Sequence, residues 1–583
     1  MHRLLKGAFL ALALAGAVLT GCGGGSSGDD ENTAPSLQKE GKEGGTLTML
    51  WTDDVDNIDP GITYYQMGYM VGYATQRPLY SYKPDDGVRA VPDLAESDPE
   101  VSEDGKTVTV KIRRGVRFSP PVEREVTSKD VKYAIERGFF NTVQNGYAGA
   151  YFGDLIGAKP GVEPGTTIAG IRTPDDRTVV FKLKRGTGGV LAGALALTLS
   201  APVPEEYARK FDAKQPSLYG QNQVATGPYM IENDPSGKAI GYEAGRRIHL
   251  IRNPNWDKTT DYKPAYLDEI EMPQGNDDTT VASRRVVEGE SMLTGDFSPP
   301  PQVLAQVLER QKDQLSLVPG GSARYVSMNT TVKPFDDVNV RRAVVAGFNR
   351  VAMRLVRGGE LVGDIPTHMI PPGLPGFEEA GGFEGPGLDF MSKPEGDLAL
   401  AAEYFKKAGY ASGKYEGDQD LLMIGTSEGV AQKAAEVAKE NFEKLGFKIR
   451  LRLITQDAMY TRFCNSPPAN VAICPNVSWG KDFGDAQTIL DPTFNGDNII
   501  QQGNSNWPEL DVPEINEAMA EAALLTEPQE RADAWAKIDR MVTEQAPVVN
   551  WIWDKQALLR SENVNGAVSE FNSQWDLAWT SLK

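Results

Sequence analysis

The sequence predicts an α/β protein built as two or three lobes, and two observations carry that prediction. At 583 residues the chain is longer than a single hydrophobic core ordinarily serves. From Asp397 onward, short apolar or alternating runs exchange with runs of helical period, the pattern of strands joined by crossover helices in a parallel sheet. A third observation sets where such a body works. Met1 to Gly21 has a basic start (Arg3, Lys6) and an apolar run from Ala8 to Leu19. The run is too short and too rich in small residues to span a membrane and fits an export signal over residues 1–21.

The residues after the signal set the attachment. Leu19-Thr-Gly-Cys22 resembles the bacterial lipoprotein cleavage box, in which the cysteine is lipidated and becomes the mature N-terminus. Residues 22–43 open with Gly23-Gly-Gly-Ser-Ser-Gly28 and stay polar to Glu43, a composition that buries too little apolar surface to fold. The expectation is an extracytoplasmic body tethered to the membrane through lipid on Cys22. The formal charge is −20, and losing Arg3 and Lys6 takes it to −22. So acidic an exported body excludes nucleic-acid binding. No second apolar run reaches membrane-spanning length. Only His2, His249 and His368 exist, which leaves little for a histidine metal site or histidine-dependent catalysis, so no metal and no cofactor are expected. An oxidising exterior favours a disulfide between Cys464 and Cys474 over two buried thiols.

Along the body, Gly44 to Trp51 alternates as a strand and leads into the Asp59-Pro60 turn. Val108, Val110 and Ile112 alternate with Thr107, Thr109 and Lys111, a half-buried strand. Thr127-Ser128 caps a helix through Arg137, and Thr178 to Lys184 is another strand. Asp336 or Asp337 starts a helix turning Val340, Ala343 and Val344 inward, and the Gly/Pro-rich stretch Pro371 to Gly387 is a long loop. Ala399 to Lys407 reads as a helix, Leu421 to Ile424 as a strand, Val430 to Leu445 as an amphipathic helix stopped by Gly446, and Phe447 to Leu453 as a strand. Asn470 to Cys474 is a buried strand that ends at Pro475 in a shaped loop, Val477-Ser-Trp-Gly-Lys-Asp-Phe-Gly-Asp485. Loops at strand ends are where α/β proteins hold ligands. Thr526-Glu-Pro-Gln529 resembles a capping box for the next helix, and Val548 to Trp553 is a last strand.

Catalytic patterns fail on inspection. Gly425-Thr-Ser-Glu-Gly429 matches a nucleophile elbow, but that chemistry needs a histidine after Ser427 and none comes after it. Ser427 then reads as a helix cap, and an extracellular serine hydrolase is the disfavoured alternative. Gly186-Thr-Gly-Gly-Val-Leu191 lacks the third glycine and the acid of a dinucleotide loop and is a turn. Asp277-Asp278 and Asp336-Asp337 read as turns or caps. The chain is not expected to be an enzyme.

Taken in order, Gly44-Gly-Thr-Leu-Thr, Asp59-Pro60, Leu79-Tyr-Ser-Tyr82, Pro92-Asp-Leu-Ala95, Ser102 to Phe118, Thr226-Gly-Pro-Tyr229, Arg252-Asn-Pro-Asn-Trp256, Asn329 to Ala343 and Trp479 to Asp485 resemble the family 5 solute-binding proteins of ABC importers, the oligopeptide, dipeptide and nickel-binding group. The resemblance runs from about Gly44 to the C-terminus. It implies a two-lobed clamshell with an extra domain on one lobe. The implied division is 44–82, 204–325 and 548–583 for lobe I, 83–203 for the extra domain II and 326–547 for lobe III. It also implies closure over an oligopeptide and delivery to a membrane permease with cytoplasmic ATPase subunits, with the binding protein acting as a monomer. The position matching the family's ammonium-binding aspartate is Asp482, with Trp479, Gly480 and Phe483 beside it. Two departures matter: Asp485 is followed by Ala486 rather than proline, and Leu421 to Ile424 offers no arginine for a dipeptide carboxylate. A longer peptide is favoured over a dipeptide, and the scarcity of histidine disfavours a nickel chelate. An oligosaccharide or another cationic solute on the same fold, and a surface receptor whose captured peptide signals, are the remaining alternatives.

Overall fold

The computed structural model describes residues 41–427 and 429–583, so the signal segment, Cys22 and nearly all of the tether lie outside the described residues. The first of its three larger sheets contains β1 (Thr46–Leu50), β2 (Tyr229–Ile231), β3 (Tyr242–Glu243), β4 (Arg247–Arg252), β5 (Glu269–Pro273) and β6 (Leu293–Thr294). Their spatial order is β6-β1-β5-β4-β2, with β3 beside β4. Leu47 and Met49 are wholly buried in this sheet's core.

Between β1 and β2 the chain inserts a separate antiparallel sheet of Glu100–Val101, Thr107–Lys111, Thr178–Lys182 and Ile171–Asp175, in that spatial order. The expected alternation holds: Val108 and Val110 are buried while Thr107 and Thr109 are half-buried. The helix Ser128–Arg137 begins on a reciprocal capping box between Thr127 and Asp130.

The third sheet joins β7 (Leu315–Met328), β8 (Gly363–Asp364), β9 (Asp420–Thr426), β10 (Lys448–Ile454), β11 (Ile473–Gly480) and β12 (Val548–Leu559), in the order β8-β12-β7-β11-β9-β10. β9 pairs parallel with β10 and β11. β7 runs antiparallel to β11 and β12. The sheet is therefore mixed rather than parallel. Crossover helices such as Gly429–Lys444 account only for the parallel strands, and the two longest strands enter from the other lobe.

Those two strands tie the lobes together. Val318 and Leu558 pack in the core of the first sheet, and Val326 and Val549 pack in the core of the third. At the crossing the register slips. Pro319 faces Lys555 and Ala323 faces Trp553, so Gly320 to Ser322 stand opposite Asp554 alone. Gly321 takes φ +50° there, a conformation natural to glycine.

Local differences from the sequence reading have physical causes. β11 starts at Ile473 and continues through Pro475 to Gly480, so Val477 to Gly480 is strand and not loop. Proline is tolerated because Cys474 faces Ser327 and Val477 faces Tyr325, leaving Pro475 and Asn476 in a bulge where a missing N–H costs no ladder bond. The helix Pro528–Gln545 is capped by Glu527 without a side-chain bond, so Thr526 forms no capping box; Pro528 at the first position sets the start instead. Gly188–Ala194 is helical, with Thr187 at its start, so the turn read at Gly186 to Leu191 is shorter than expected. The last long strand reaches Leu559, and short pairs such as Val564–Asn565 with Ser581–Leu582 come after it. Asp337 and Asp278 both cap helices through backbone amides.

Candidate functional site

The end of β11 brings an indole and a carboxylate to the place where both lobes and the inserted domain meet. Trp479 sits opposite Ala323 on β7, and its Nε1 donates to Thr488 O at 2.7 Å. That bond holds the ring edge-on to Tyr64, with centroids 5.8 Å apart. Asp482 lies two residues past the strand end. Its Oδ2 accepts the hydroxyls of Tyr64 at 3.0 Å and Tyr151 at 2.5 Å. Tyr64 lies just before the helix Gln66–Thr75, and Tyr151 lies in the helix Ala148–Phe152 of the inserted domain.

Asp482 is 4% exposed, and among the described residues no cation stands within ion-pair distance of it. Burial pushes its carboxyl from 3.8 up to about 7, against the pull of the two phenols. Tyr64 and Tyr151 are themselves driven well above the usual tyrosine range, first by burial and then by the Asp482 charge. The ring of Tyr64 lies 4.9 Å from that of Tyr147. Phe483 leaves its own lobe and joins the core of the inserted domain, edge-on to Tyr151 at 5.2 Å. Gly193 makes room for it: a Cβ there would meet the Phe483 ring at 2.7 Å. Gly480 ends the strand opposite Ser322.

Asp485 has a different place. Arg531 pairs with its Oδ2, the Gln487 amide donates to Oδ1 at 2.8 Å, and Arg531 also donates to Gln487 Oε1 at 2.5 Å. It fastens the segment to the helix Pro528–Gln545 and presents no free charge. Cys464 and Cys474 are bonded, with Cα atoms 6.2 Å apart, at the base of β11. Ser427 is exposed at the end of β9, and a cap through it turns on residue 428, outside the described residues. The two histidines among the described residues are engaged elsewhere, His249 with Glu232 and His368 with Asp539, each at 3.0 Å. Among the described residues no cluster of three or more His, Cys, Asp or Glu is arranged to hold a metal ion.

The site thus offers a desolvated carboxylate without a counter-ion, aromatic walls, and contacts from three separate stretches of chain. Such equipment is chemically suited to a cationic group. Sequence reasoning reached Trp479, Gly480, Asp482 and Phe483 but missed Tyr64 and Tyr151, which lie 418 and 331 residues away from Asp482. The only signal for them was the density of tyrosine in 64–82 and 147–151.

Comparisons agree with this architecture. The model of the bacterial extracellular solute-binding proteins, family 5, matches residues 89–501. Di/tripeptide-binding protein 3 of Pseudomonas aeruginosa is 24% identical over 473 residues, covering 79% of this chain and 81% of that protein. Heme-binding protein A of Haemophilus influenzae is 25% identical over 478 residues, covering 79% and 78%. Among solved structures, the clavulanic acid biosynthesis oligopeptide binding protein 2 superposes with a TM-score of 0.79 at 28% identity, covering 93% of this chain and 96% of its own.

Proposed function

The chain belongs to the bacterial extracellular solute-binding proteins, family 5, and from this we propose that it captures oligopeptides outside the membrane and hands them to an ABC permease with cytoplasmic ATPases. Asp482 carries the reading: it is a buried carboxylate with only neutral partners, placed where the lobes meet. A peptide's α-ammonium supplies the missing charge, main-chain groups hold the extended backbone, and Trp479 walls the first residue, while Phe483 anchors the segment in the core of the inserted domain. Binding and lobe closure are the whole of the mechanism, without catalysis. The names of di/tripeptide- and oligopeptide-binding relatives support peptide as the solute class. The division at residues 82/83, 203/204, 325/326 and 547/548 belongs to this reading, as does lipid attachment at Cys22. Among the described residues no helix is long and apolar enough to cross a membrane.

Mass spectrometry of solute co-purified with the natively produced protein tests the class. Peptides with free amino termini are expected. An oligosaccharide, haem or metal chelate recovered instead would overturn the peptide reading.

A further inference from the structure

Asp482 is not the only unmatched charge in its segment. The amide of its neighbour Lys481 donates to Gly321 O at 3.1 Å, at the crossing between the lobes. The Lys481 ammonium reaches the C-terminal stretch, where Nζ donates to the main-chain oxygen of Glu570 at 3.2 Å. Two glycines open its path. A Cβ at Gly87 would lie 2.9 Å from Nζ, and one at Gly321 would lie 3.0 Å from both Nζ and Cδ.

Among the described residues no carboxylate stands within 4.0 Å of that ammonium. Glu570 and Asp86 act on it from farther away. Asp86 is already committed, accepting the amides of Val88 and Arg89 at 2.9 and 2.8 Å. Burial pulls the lysine down to about 8. An ammonium has three donors, and one is used here. Arg324, farther along β7, and Arg357 share the single carboxylate of Asp554 at 2.7 and 2.6 Å, so that carboxylate is not free for Lys481.

We propose that Lys481 is the subsite for a carboxylate of the ligand, so that the closed protein selects zwitterionic solutes. The inference rests on Asp482 receiving the ammonium. Closure over an empty cleft buries two charges on adjacent residues, neither with an opposite charge within ion-pair distance, which is costly for each. A solute with only one charge leaves the other buried and unpaired. A zwitterion matches both, and only such differential interaction shifts the balance toward the closed form. Lys481 and Asp482 reach different partners, and an extended peptide, advancing about 3.3–3.6 Å per residue, sets its ammonium and carboxylate apart so that they engage two distinct groups.

Calorimetric titration with trialanine, its C-terminal amide and its N-acetyl form tests the proposal on wild-type protein, Lys481→Met and Lys481→Arg. Amidation is expected to weaken wild-type binding about tenfold or more, with Lys481→Arg still sensitive to it. Lys481→Met should lose a similar factor on free trialanine, lose nothing further on amidation, and stay as sensitive to N-acetylation as wild type. An amidated peptide with aspartate in the middle separates the sources: recovered affinity assigns the subsite to a side-chain carboxylate, and unrecovered affinity assigns it to the C-terminus. If Lys481→Met weakens free and amidated peptide equally, the lysine is a closing contact to Glu570 and the proposal is overturned. If wild type binds the peptides and ignores amidation, the carboxylate subsite falls while the Asp482 reading stands. If wild type binds none of them, the peptide reading falls and takes this inference with it.

Discussion

Charge is buried in two ways in this molecule. In the inserted domain Arg137 is wholly enclosed, yet its guanidinium forks onto Asp212 at 2.8 Å and Asp59 at 2.7 Å. Asp212 also receives the hydroxyls of Tyr133 at 2.8 Å and Ser217 at 2.7 Å. At the lobe junction, Asp482 and Lys481 are buried or half-buried with only neutral groups in hydrogen-bond contact, and the nearest carboxylates to Lys481, those of Glu570 and Asp86, act from beyond ion-pair distance. The difference separates two uses of buried charge. A paired and fully bonded ion locks one arrangement of the chain. An unpaired one makes an arrangement costly until something else brings the counter-charge. The pKa shifts follow the same division: Asp212 and Asp554 are lowered by their arginines despite burial, whereas Asp482 is raised.

The largest expected effect tests the paired side. Arg137→Met leaves two enclosed carboxylates facing each other and is expected to destabilise the protein by about 3–5 kcal/mol in urea unfolding. Peptide affinity of the folded fraction should be unchanged. A loss under about 1 kcal/mol would mean that the paired cluster is not holding the inserted domain, and the contrast between the regions would fail.

The unpaired side is expected to behave in the opposite sense. Asp482→Asn should weaken peptide binding about 10- to 100-fold, the scale of a lost charged hydrogen bond, while leaving the ligand-free protein as stable or more so. The pH dependence carries the same sign. Because the folded-state pKa of Asp482 is raised to about 7, the native closed form holds a proton that the unfolded chain, near 3.9, has released. Its contribution to stability therefore falls as pH rises from about 4 to about 7. Asp212 and Asp554, with lowered values, contribute stability present above the unfolded pKa and lost as pH falls below it. Denaturation of the ligand-free protein across about pH 4–8 should show a decline that Asp482→Asn flattens. An unchanged slope in the variant would show that Asp482 is not desolvated without ligand.

Legibility in the sequence depends on where a residue's partners lie. Elements set by local chemistry were readable: the cap at Thr127, the Asp337 cap and the alternation of Val108 and Val110 need only residues a few positions apart. Trp479 and Asp482 were readable because they sit together in one recognisable segment. The mixed third sheet was not, because the direction of β7 and β12 depends on both strands crossing between lobes. The continuation of β11 past Pro475 was hidden too, since the bulge that excuses the proline exists only against Tyr325 to Ser327. Asp485 gave no sign of its role because Arg531 arrives from a helix 46 residues on. Lys481 carried no reading in the sequence, because Gly87, Gly321 and Glu570, which close around it, come from distant stretches of chain.

The smallest expected effect asks whether the junction is a surface that opens and shuts. A Cβ on Gly484 would lie 2.2 Å from Val88 O and 2.8 Å from Val88 C, main-chain atoms that no rotamer change can move aside. Val88 belongs to the stretch before the inserted sheet, and Gly484 to the segment carrying Asp482, so the contact joins parts that closure brings together. Gly484→Ala is therefore expected to cost the closed form about 1–2 kcal/mol, within the range for overpacking, which lowers peptide affinity about tenfold. Its ligand-free unfolding midpoint should fall by less than the lost affinity implies, because an open form relieves the clash. If affinity and midpoint fall together, the contact is a fixed part of the fold. Asp482 and Lys481 would then be permanently enclosed, and their missing partners could not be supplied by a solute that enters between moving lobes.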